Sequence, residues 1–204
     1  RGRRGNKWDS PRGNLYLSLI LRPEIPLANA TQLSFVAALA VYDTLGNMGP
    51  AGHQVHCKWP NDILLNDKKV AGILIETEGK LSNDFPNWLI LGLGLNVAWH
   101  PETKGSNSTS LRFEGWGSTV EDALEAFSRS FLSWTNKWLE DGFEKIRENW
   151  LWRSIGQGSL IKVNIGNEII EGVFQDIDKD GALLLNQNGV IKKITNGDVF
   201  FLKA

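Results

Sequence analysis

The sequence predicts an α+β fold, a mixed or antiparallel sheet flanked by helices, followed by a small β-barrel module. Up to about residue 153, segments with apolar residues at every second position alternate with segments whose apolar residues recur every three or four positions, which indicates strands and helices around one core. The chain then changes to short alternating segments, and four turn signals between them favour hairpins: Ile165-Gly166-Asn167, Asp180-Gly181, Asn188-Gly189 and Asn196-Gly197. We therefore predict two domains, 1–153 and 154–204, the second a barrel of SH3-like size.

Four strands and three helices are predicted in the first domain. In the first strand the leucines at every second position share one face. The first helix repeats apolar residues every three or four positions, and Gly46 and the Gly49-Pro50 pair are predicted to end it. The stretch STVE, from Ser118 to Glu121, has the pattern of a capping box, and residues 61–68 have the composition of a turn. The strands are predicted at 14–22, 54–59, 69–76 and 88–97, and the helices at 27–45, 118–142 and 143–152.

The composition indicates a protein without disulfides and without a membrane span. A formal net charge of −1, and no apolar run near the roughly 18 residues of a membrane helix, predict a soluble protein with no membrane partner. Cys57 is the single cysteine, so an internal disulfide cannot form, which suits a reducing compartment. We therefore expect a cytoplasmic protein.

Positive charge is concentrated at the start of the chain. The first thirteen positions, RGRRGNKWDSPRG, hold five basic residues and one aspartate and carry a net charge of +4. Arginines separated by glycines can surround an anion with guanidinium and backbone N–H groups, so we expect an anionic ligand and a loop that orders when it binds. Trp8 offers a face for an aromatic base, although a tryptophan that anchors the segment to the surface is an equally simple interpretation.

The predicted strand 88–97 has one apolar face and one face almost without side chains. Its odd positions from 89 to 95 are leucines, and Gly92, Gly94 and Asn96 alternate with them. Two glycines on one strand face indicate that a ligand or another part of the chain approaches the backbone closely. Taken alone, the pair is explained at least as well by a packed helix.

A lysine begins the third predicted strand. By strict alternation Lys69 shares the apolar face with Ala71 and Ile73, while Gly72 interrupts the opposite face. A buried unpaired ammonium group is costly, so Lys69 requires an anionic partner or contact with solvent at the end of its side chain. Asp62, which ends the stretch KWPND, could hold a metal ion or orient a basic group, and ordinary turn chemistry is the competing interpretation.

Four stretches of the chain together resemble the motifs of bacterial-type biotin protein ligases: RGRRGNKWDSPRGNLYLSL at 1–19, VHCKWPNDILLNDKKVAGILIE at 55–76, GLGLNV at 92–97 and DIDKDGALLLNQNG in the second domain. The resemblance implies a class II synthetase-like catalytic domain followed by an SH3-like β-barrel. It also implies that ATP, accompanied by Mg²⁺, activates biotin as biotinyl-5′-AMP. The biotin would then be transferred to a lysine of a biotin carboxyl carrier protein, a subunit of acetyl-CoA carboxylase.

The resemblance implies roles for particular residues. The basic loop closes over biotin and the acyl phosphate, Trp8 meets the adenine, and Lys69 contacts the biotin carboxylate and the α-phosphate region. Arg3, Lys69 and Asp62 are expected to take part in catalysis, and no side chain is expected as a metal ligand. The residues expected to bind biotin or ATP are Arg1, Gly2, Arg3, Arg4, Gly5, Trp8, Asn61, Lys69, Ala71, Gly72, Ile73, Gly92, Gly94 and Asn96.

One part of the family pattern is not found in this sequence. The family carries a Ser/Thr-Thr-Asn segment and a glutamine upstream of the basic loop, so we expect that the N-terminal part of the catalytic domain is missing. DNA would be a partner only if the full protein has an N-terminal DNA-binding domain, as some family members do. A homodimer formed through an exposed strand edge stays open, because the sequence does not identify that strand.

Two other functions are compatible with parts of the sequence. An acyl-adenylating ligase for another acid, such as lipoate, would share the catalytic fold and differ in the shape of its pocket. A basic arm with a tryptophan could also grip single-stranded nucleic acid, but this interpretation explains neither the glycine face nor Lys69.

Overall fold

The computed structural model describes residue 2 and residues 8–22, 24–77, 86–102, 107–166 and 168–201, which form two five-stranded sheets and three α-helices. The first sheet contains β1 (Leu15–Leu21), β2 (Val55–Lys58), β3 (Asp62–Leu65), β4 (Lys68–Thr77) and β5 (Leu89–Leu95). The second contains β6 (Leu160–Ile165), β7 (Glu168–Ile177), β8 (Leu183–Gln187), β9 (Val190–Ile194) and β10 (Asp198–Phe201). The helices are α1 (Gln32–Met48), α2 (Val120–Asp141) and α3 (Phe143–Trp152).

The first sheet has the strand order β1-β5-β4-β3-β2, and every neighbouring pair is antiparallel. The four strands predicted in this domain are confirmed. The prediction of a turn over residues 61–68 is wrong, because the apolar residues inside this range form β3. The turn is confined to Asn66 and Asp67, whose φ angles of 49° and 61° lie in the left-handed region that asparagine and aspartate tolerate.

The first helix is buried on nearly every side. A 3₁₀ turn at Leu27–Asn29 precedes α1, which continues through Gly46 and ends at Gly49, so the predicted stop at the Gly49-Pro50 pair is confirmed and the one at Gly46 is wrong. A side chain at Gly46 would meet no other atom, whereas a Cβ at Gly49, where the helix does end, would collide with the ring of Trp116. Because α1 packs against β2, β3 and β4 on one side and against α2 and α3 on the other, its apolar residues are buried all round.

The capping box of α2 uses a different pair of residues from the one predicted. The Thr119 hydroxyl accepts a hydrogen bond from the Asp122 N–H at 3.1 Å, and the Asp122 carboxylate accepts one from the Thr119 N–H at 2.9 Å. An aspartate replaces the glutamate of the predicted pair, so the box lies one residue further along the chain.

The helices were also compared with the length and hydropathy that a membrane span requires. None of the helices in the described part of the chain is long and apolar enough to cross a membrane.

The second sheet is an antiparallel meander whose last strand returns to its first. Its order is β10-β6-β7-β8-β9, and turns at Gly166, Gly181 and Gly189 join β6 through β9 as predicted hairpins. The fourth predicted hairpin, at Asn196-Gly197, is wrong, because β9 and β10 lie at opposite edges of the sheet. Pairing between these two edges is not found in the described strands, and the SH3-like barrel stays a prediction.

The turn between β7 and β8 holds the second sheet against α1 and the chain that follows β2. The indole N–H of Trp59 donates to the Gly181 carbonyl at 3.0 Å, and the Gln32 amide donates to the Lys179 carbonyl at 3.1 Å. Gly181 adopts a φ of +82° beside the ring of Phe35, and a Cβ at this position would stand 2.5 Å from that ring. The two sheets are therefore joined, through α1 and this turn, by a buried contact with a close backbone approach.

We expect Gly181→Ala to lower the free energy of unfolding by about 2–4 kcal/mol, because the new Cβ meets Phe35 in a backbone conformation that side chains rarely adopt. Gly189→Ala is the matched control, since Gly189 has a similar φ of +90° and open space around a new Cβ. Only the backbone cost of about 1 kcal/mol applies there. Urea denaturation measures both values, and equal destabilisation would contradict the contact between Gly181 and Phe35.

Candidate functional site

A cavity of about 380 Å³ opens on the face of the first sheet that lies away from the helices. Its floor consists of β4 and β5 in the middle of the sheet and of β1 beside them. Its walls come from the residues before β1, from the turn between β2 and β3, and from β10 of the second sheet. The opposite face of β5 carries its leucines, which are buried against the helical layer.

The indole ring of Trp8 lies against two glycines of this floor. A Cβ built on Gly94 would stand 2.6 Å from the ring, and one built on Gly72 would stand 3.0 Å from it. Gly72 and Gly94 are direct partners across β4 and β5, so they form one bare patch two strands wide. The predicted close approach is therefore made by a tryptophan and not by a packed helix. The Trp8 Nε1–H is buried and has no hydrogen-bond partner among the described residues.

The third glycine of the floor faces open space. The atoms nearest to a Cβ built on Gly92 belong to Leu74 and lie at least 3.6 Å away, which is an ordinary contact. Packing against the protein therefore explains the glycine at 94 but not the one at 92. The space above Gly92, between Leu74 and Ser18 on the neighbouring strands, is the part of the floor best suited to a ligand.

A β-bulge turns Lys69 towards the floor. In the pairing of β3 with β4, Val70 is an extra residue that has no opposite residue on β3. The bulge interrupts the alternation and brings the Lys69 side chain to the face of Gly72, where it lines the cavity. The prediction that Lys69 shares a face with Ala71 and Ile73 is wrong for this reason.

Lys69 is paired inside the cavity with the carboxylate of Asp62. Its Nζ lies 2.5 Å from Asp62 Oδ1 and 5.4 Å from the centre of the Trp8 ring, within the range of a cation–π contact. The two charged side chains are 34% and 19% exposed, so the pair is partly shielded from water. Of the two chemical roles considered for Asp62, this geometry matches the orientation of a basic group.

Asn96 supports Lys69 from outside the cavity. The Lys69 N–H donates to the Asn107 carbonyl, and the Lys69 carbonyl accepts from the Thr109 N–H, both at 2.9 Å. The side-chain amide of Asn96 donates to the Thr109 carbonyl at 3.0 Å and thereby holds the segment that fixes the Lys69 backbone. Asn96 is 3% exposed and does not line the cavity, so its predicted place in the pocket is not reproduced.

Asn14 is a structural residue that the sequence analysis did not single out. Its side-chain oxygen accepts hydrogen bonds from the N–H groups of Val97, Ala98 and Trp99 at 2.9–3.0 Å, and its amide donates to the Trp99 carbonyl at 2.9 Å. One buried side chain thus holds the chain that leaves β5 against the start of β1. A polar residue directly before an alternating apolar run is the sequence signal for such a role.

The turn between β2 and β3 is fastened to β4 by Asn61. Its side-chain amide donates to the Ile73 carbonyl at 2.5 Å, and its own carbonyl accepts from the Ile73 N–H at 3.0 Å. These bonds hold the stretch KWPND at the edge of the cavity, where Asn61 and Asp62 both line it.

Lys58, Asp198 and Phe200 also line the cavity, and the sequence analysis gave none of them a role. The Nζ of Lys58 lies 5.8 Å and 5.7 Å from the ring centres of Phe200 and Phe201. Burial lowers the pKa of Lys58 below its ordinary value, although nearby carboxylates act in the other direction. Lys58 stands in the stretch KWPND, so the sequence could have indicated it. Asp198 and Phe200 reach the cavity only because the second sheet packs beside the first.

The structure brings nine of the predicted site residues together at the cavity. Ala71 is fully buried on the opposite face, so the cavity contains neither Ala71 nor Asn96. Arg1, Arg3, Arg4 and Gly5 lie outside the described residues. Those at the cavity are Gly2, Trp8, Asn61, Asp62, Lys69, Gly72, Ile73, Gly92 and Gly94.

The cavity offers cations to an anionic ligand, and three carboxylates, those of Asp62, Glu76 and Asp198, line it beside them. Two ammonium groups and an indole ring surround a bare surface of sheet, and the described residues that line the cavity include no histidine or cysteine. A group of three or more His, Cys, Asp or Glu side chains that could hold a metal is likewise not found in the described part of the chain. This arrangement can stabilise negative charge that develops on a bound substrate.

Comparison with known proteins relates these features to a family. The model of the biotin/lipoate A/B protein ligase family matches residues 7–152, and that of the biotin protein ligase C terminal domain matches residues 158–202. A biotin–[acetyl-CoA-carboxylase] ligase from Paracoccus denitrificans is 39% identical over 208 residues, which cover 98% of this chain and 85% of the relative.

Two further comparisons are with a relative that is longer than this chain and with a solved structure. The bifunctional ligase/repressor BirA from Bacillus subtilis is 35% identical over 98% of this chain, and the chain spans 62% of that relative, less than two thirds of its length. The solved structure of a biotin protein ligase from Aquifex aeolicus in complex with biotin and ATP has a TM-score of 0.79 and 29% identity. The match covers 98% of this chain and 83% of that one.

We expect Gly94→Ala to displace the Trp8 ring and to lower the free energy of unfolding by about 1–3 kcal/mol, because the new methyl group would lie 2.6 Å from the indole. Gly92→Ala is the control and should leave both the ring and the stability unchanged. The chain has nine tryptophans, so Trp8 emission is measured as the difference between each variant and the same variant with Trp8→Phe. Equal Trp8 emission in the two glycine variants would show that the ring does not lie on Gly94.

Proposed function

Because the chain belongs to the biotin/lipoate A/B protein ligase family, we propose that it is a biotin protein ligase. It joins biotin to ATP as biotinyl-5′-AMP with release of pyrophosphate, and it then transfers the biotin to a lysine of a biotin carboxyl carrier protein. The observation that carries the proposal is an ammonium group, that of Lys69, above a bare glycine floor. The chain that presents it is 39% identical to a biotin–[acetyl-CoA-carboxylase] ligase over 98% of its length.

Lys69 is placed to neutralise charge in the first step. The biotin carboxylate attacks the α-phosphorus of ATP, and negative charge accumulates on the phosphate oxygens while the bond to the leaving pyrophosphate breaks. Asp62 holds the Lys69 ammonium in position at 2.5 Å, so it meets these oxygens with little reorganisation. A side-chain nucleophile is not needed, because the substrate carboxylate is the attacking group.

The floor and the tryptophan divide the cavity between the two substrates. The acid lies in the open space above Gly92, where a larger side chain would occupy its volume. The adenine of ATP contacts the ring of Trp8, whose aromatic surface suits a nucleobase. The carboxylate and the α-phosphate then meet between these positions, next to Lys69.

The N-terminal basic loop completes the site in this proposal. Gly2 lines the cavity, which brings the start of the chain to its edge. Arg1, Arg3, Arg4 and Gly5 are its neighbours in sequence and are proposed to close over the adenylate. Their guanidinium and backbone N–H groups bind the phosphate, and the closed loop keeps water from hydrolysing the mixed anhydride.

ATP enters as its magnesium complex. Mg²⁺ in such sites is held by substrate phosphates and by one or two carboxylates. Asp62, Glu76 and Asp198 are the carboxylates among the described residues that line the cavity, so the donor set fits a metal that arrives with its phosphates.

In the second step the amine of the acceptor lysine attacks the carbonyl carbon of the adenylate. An amide bond forms, AMP leaves, and the amine proton passes to solvent.

The alternative functions receive less support. A lipoate-type ligase falls within the same broad family, but the match at residues 158–202 is to a domain of biotin protein ligases. A nucleic-acid-binding arm would leave the cavity and the ion pair of Lys69 with Asp62 without a role. A homodimer, a DNA-bound form and the cytoplasmic location stay predictions.

The activity is tested by ATP- and biotin-dependent labelling of a purified biotin carboxyl carrier domain, with biotinyl-5′-AMP measured separately. We expect Lys69→Ala to slow adenylate formation by about 100- to 1000-fold, because it removes the cation at the reacting phosphate. Lys68→Ala is the matched control, since Lys68 pairs with Glu114 at 3.4 Å outside the cavity. A wild-type chain that labels nothing would contradict the function, and a wild-type rate in Lys69→Ala would contradict the role of Lys69.

Arg3→Gly should release the adenylate from the site while still allowing it to form. The free mixed anhydride reacts with any exposed amine, so biotin should appear on an added protein without a carrier domain, several-fold above the wild-type level. Arg12→Gly is the control, because Arg12 is exposed and does not line the cavity. If Arg3→Gly labels the added protein no more than the wild type does, the basic loop does not retain the adenylate.

A further inference from the structure

Lys58 is a second ammonium group of the cavity, and it differs from Lys69 in its surroundings. Lys69 is paired with Asp62 at 2.5 Å, whereas no carboxylate of the described residues lies within ion-pair distance of Lys58. Lys58 ends β2 and stands opposite Asp62 in the hairpin of β2 and β3. The carboxylates of Asp62 and Asp198 act on Lys58 only at longer range, so its ammonium group is available to bind an anion.

Two aromatic rings of the second sheet contact this cation. The ring centres of Phe200 and Phe201 lie 5.8 Å and 5.7 Å from the Lys58 Nζ, and both residues belong to β10 at the edge of that sheet. Phe201 packs closely on Gly156, whereas Phe200 is 54% exposed at the cavity. Core packing therefore does not account for an aromatic residue at position 200, and the contact with Lys58 does.

We propose that Lys58 binds the two phosphate groups of ATP that leave as pyrophosphate, and that Phe200 is the residue that positions it. This inference rests on the proposed ligase function. Lys69, beside Trp8, meets the carboxylate and the α-phosphate, while Lys58 lies at the wall that β10 provides. The second sheet thus contributes directly to the first step of the reaction.

The balance of that step defines the task of Lys58. A carboxylate oxygen of biotin forms a bond to the α-phosphorus, and the bond from that phosphorus to the oxygen bridging to the β-phosphate breaks. The electron pair of the broken bond stays on the departing pyrophosphate, and no proton is transferred. The charge that develops on the leaving group is therefore neutralised by cations already in place. Lys58 is such a cation, and unlike Lys69 it forms no ion pair with a carboxylate of the described residues.

The surroundings of Lys58 support this role. Burial and the nearby charge of Lys69 lower its pKa, and the carboxylates of Asp62 and Asp198 offset only part of this shift, so the ammonium form carries a cost of burial. Phosphate oxygens that contact Nζ offset this cost, which makes the binding of a polyphosphate favourable at this position.

The test compares the full chain with Lys58→Met, which keeps the length of the side chain and removes its charge. We expect the KM for ATP and the inhibition constant of inorganic pyrophosphate each to rise about 10- to 100-fold, and the KM for biotin to stay within about twofold. Lys137→Met is the matched control, because Lys137 also lies over an aromatic ring, that of Trp134 at 4.5 Å, but outside the cavity.

Phe200→Leu tests the positioning role, since leucine keeps an apolar side chain and removes the aromatic ring. We expect the same two constants to rise about threefold, and the double variant with Lys58→Met to be no worse than Lys58→Met alone. If Lys58 served only to join the two sheets, both single variants would lower the free energy of unfolding and leave the KM for ATP unchanged. That result would overturn the inference.

The failure of this inference is distinguishable from the failure of the ligase proposal. If the wild-type chain forms adenylate and Lys58→Met retains the wild-type KM for ATP and wild-type inhibition by pyrophosphate, the inference is wrong and the ligase remains. If the wild-type chain forms no biotinyl adenylate, calorimetry with inorganic pyrophosphate still tests Lys58. Loss of that binding in Lys58→Met supports the inference, whereas equal binding in both proteins, or none in the wild type, overturns it.

Discussion

The geometry of the cavity depends on a patch of sheet that carries no side chains. Because Gly72 and Gly94 are opposite each other on adjacent strands, the ring of Trp8 can lie directly against the backbone. A Cβ at Gly94 alone would collide with the ring in this position. The ring in turn lies 5.4 Å from the ammonium of Lys69, and Asp62 holds that ammonium from the other side. Two missing side chains therefore place the tryptophan, next to a cation that the bulge of β4 turns towards it and a carboxylate that pairs with this cation.

Much of this arrangement follows from sequence patterns, and the rest departs from them for identifiable physical reasons. Alternation alone separates the leucine face of β5 from the face of Gly92 and Gly94, and it does so correctly because β5 pairs without interruption. The same rule fails for Lys69, because it assumes that no residue is inserted, and nothing in the apolar run around Val70 marks the bulge. It also fails for Asn96, which follows the end of β5 and turns into the protein.

The contribution of the second sheet could not be predicted from the chain at all. Asp198 and Phe200 are distant in sequence from every motif of the first domain, and they reach the cavity because the turn at Gly181 packs on α1. The turn residues themselves were recognisable, since Asp-Gly and Asn-Gly dipeptides prescribe their backbone angles. Local patterns specify such a turn but not the surface that it will meet, because that depends on the shape of the whole first domain.

Phe35 and Trp59 are 3% and 2% exposed where that turn covers them. A chain shortened to end at residue 153 would expose the side of each ring that the turn covers. A loss of activity in that chain would then report a disturbed first sheet and α1 as much as the absence of the second sheet. Exchange of C-terminal modules between related enzymes meets the same obstacle. Chimaeras should fold and keep their activity where the turn at Gly181 and the rings of Phe35 and Trp59 that contact it come from the same enzyme.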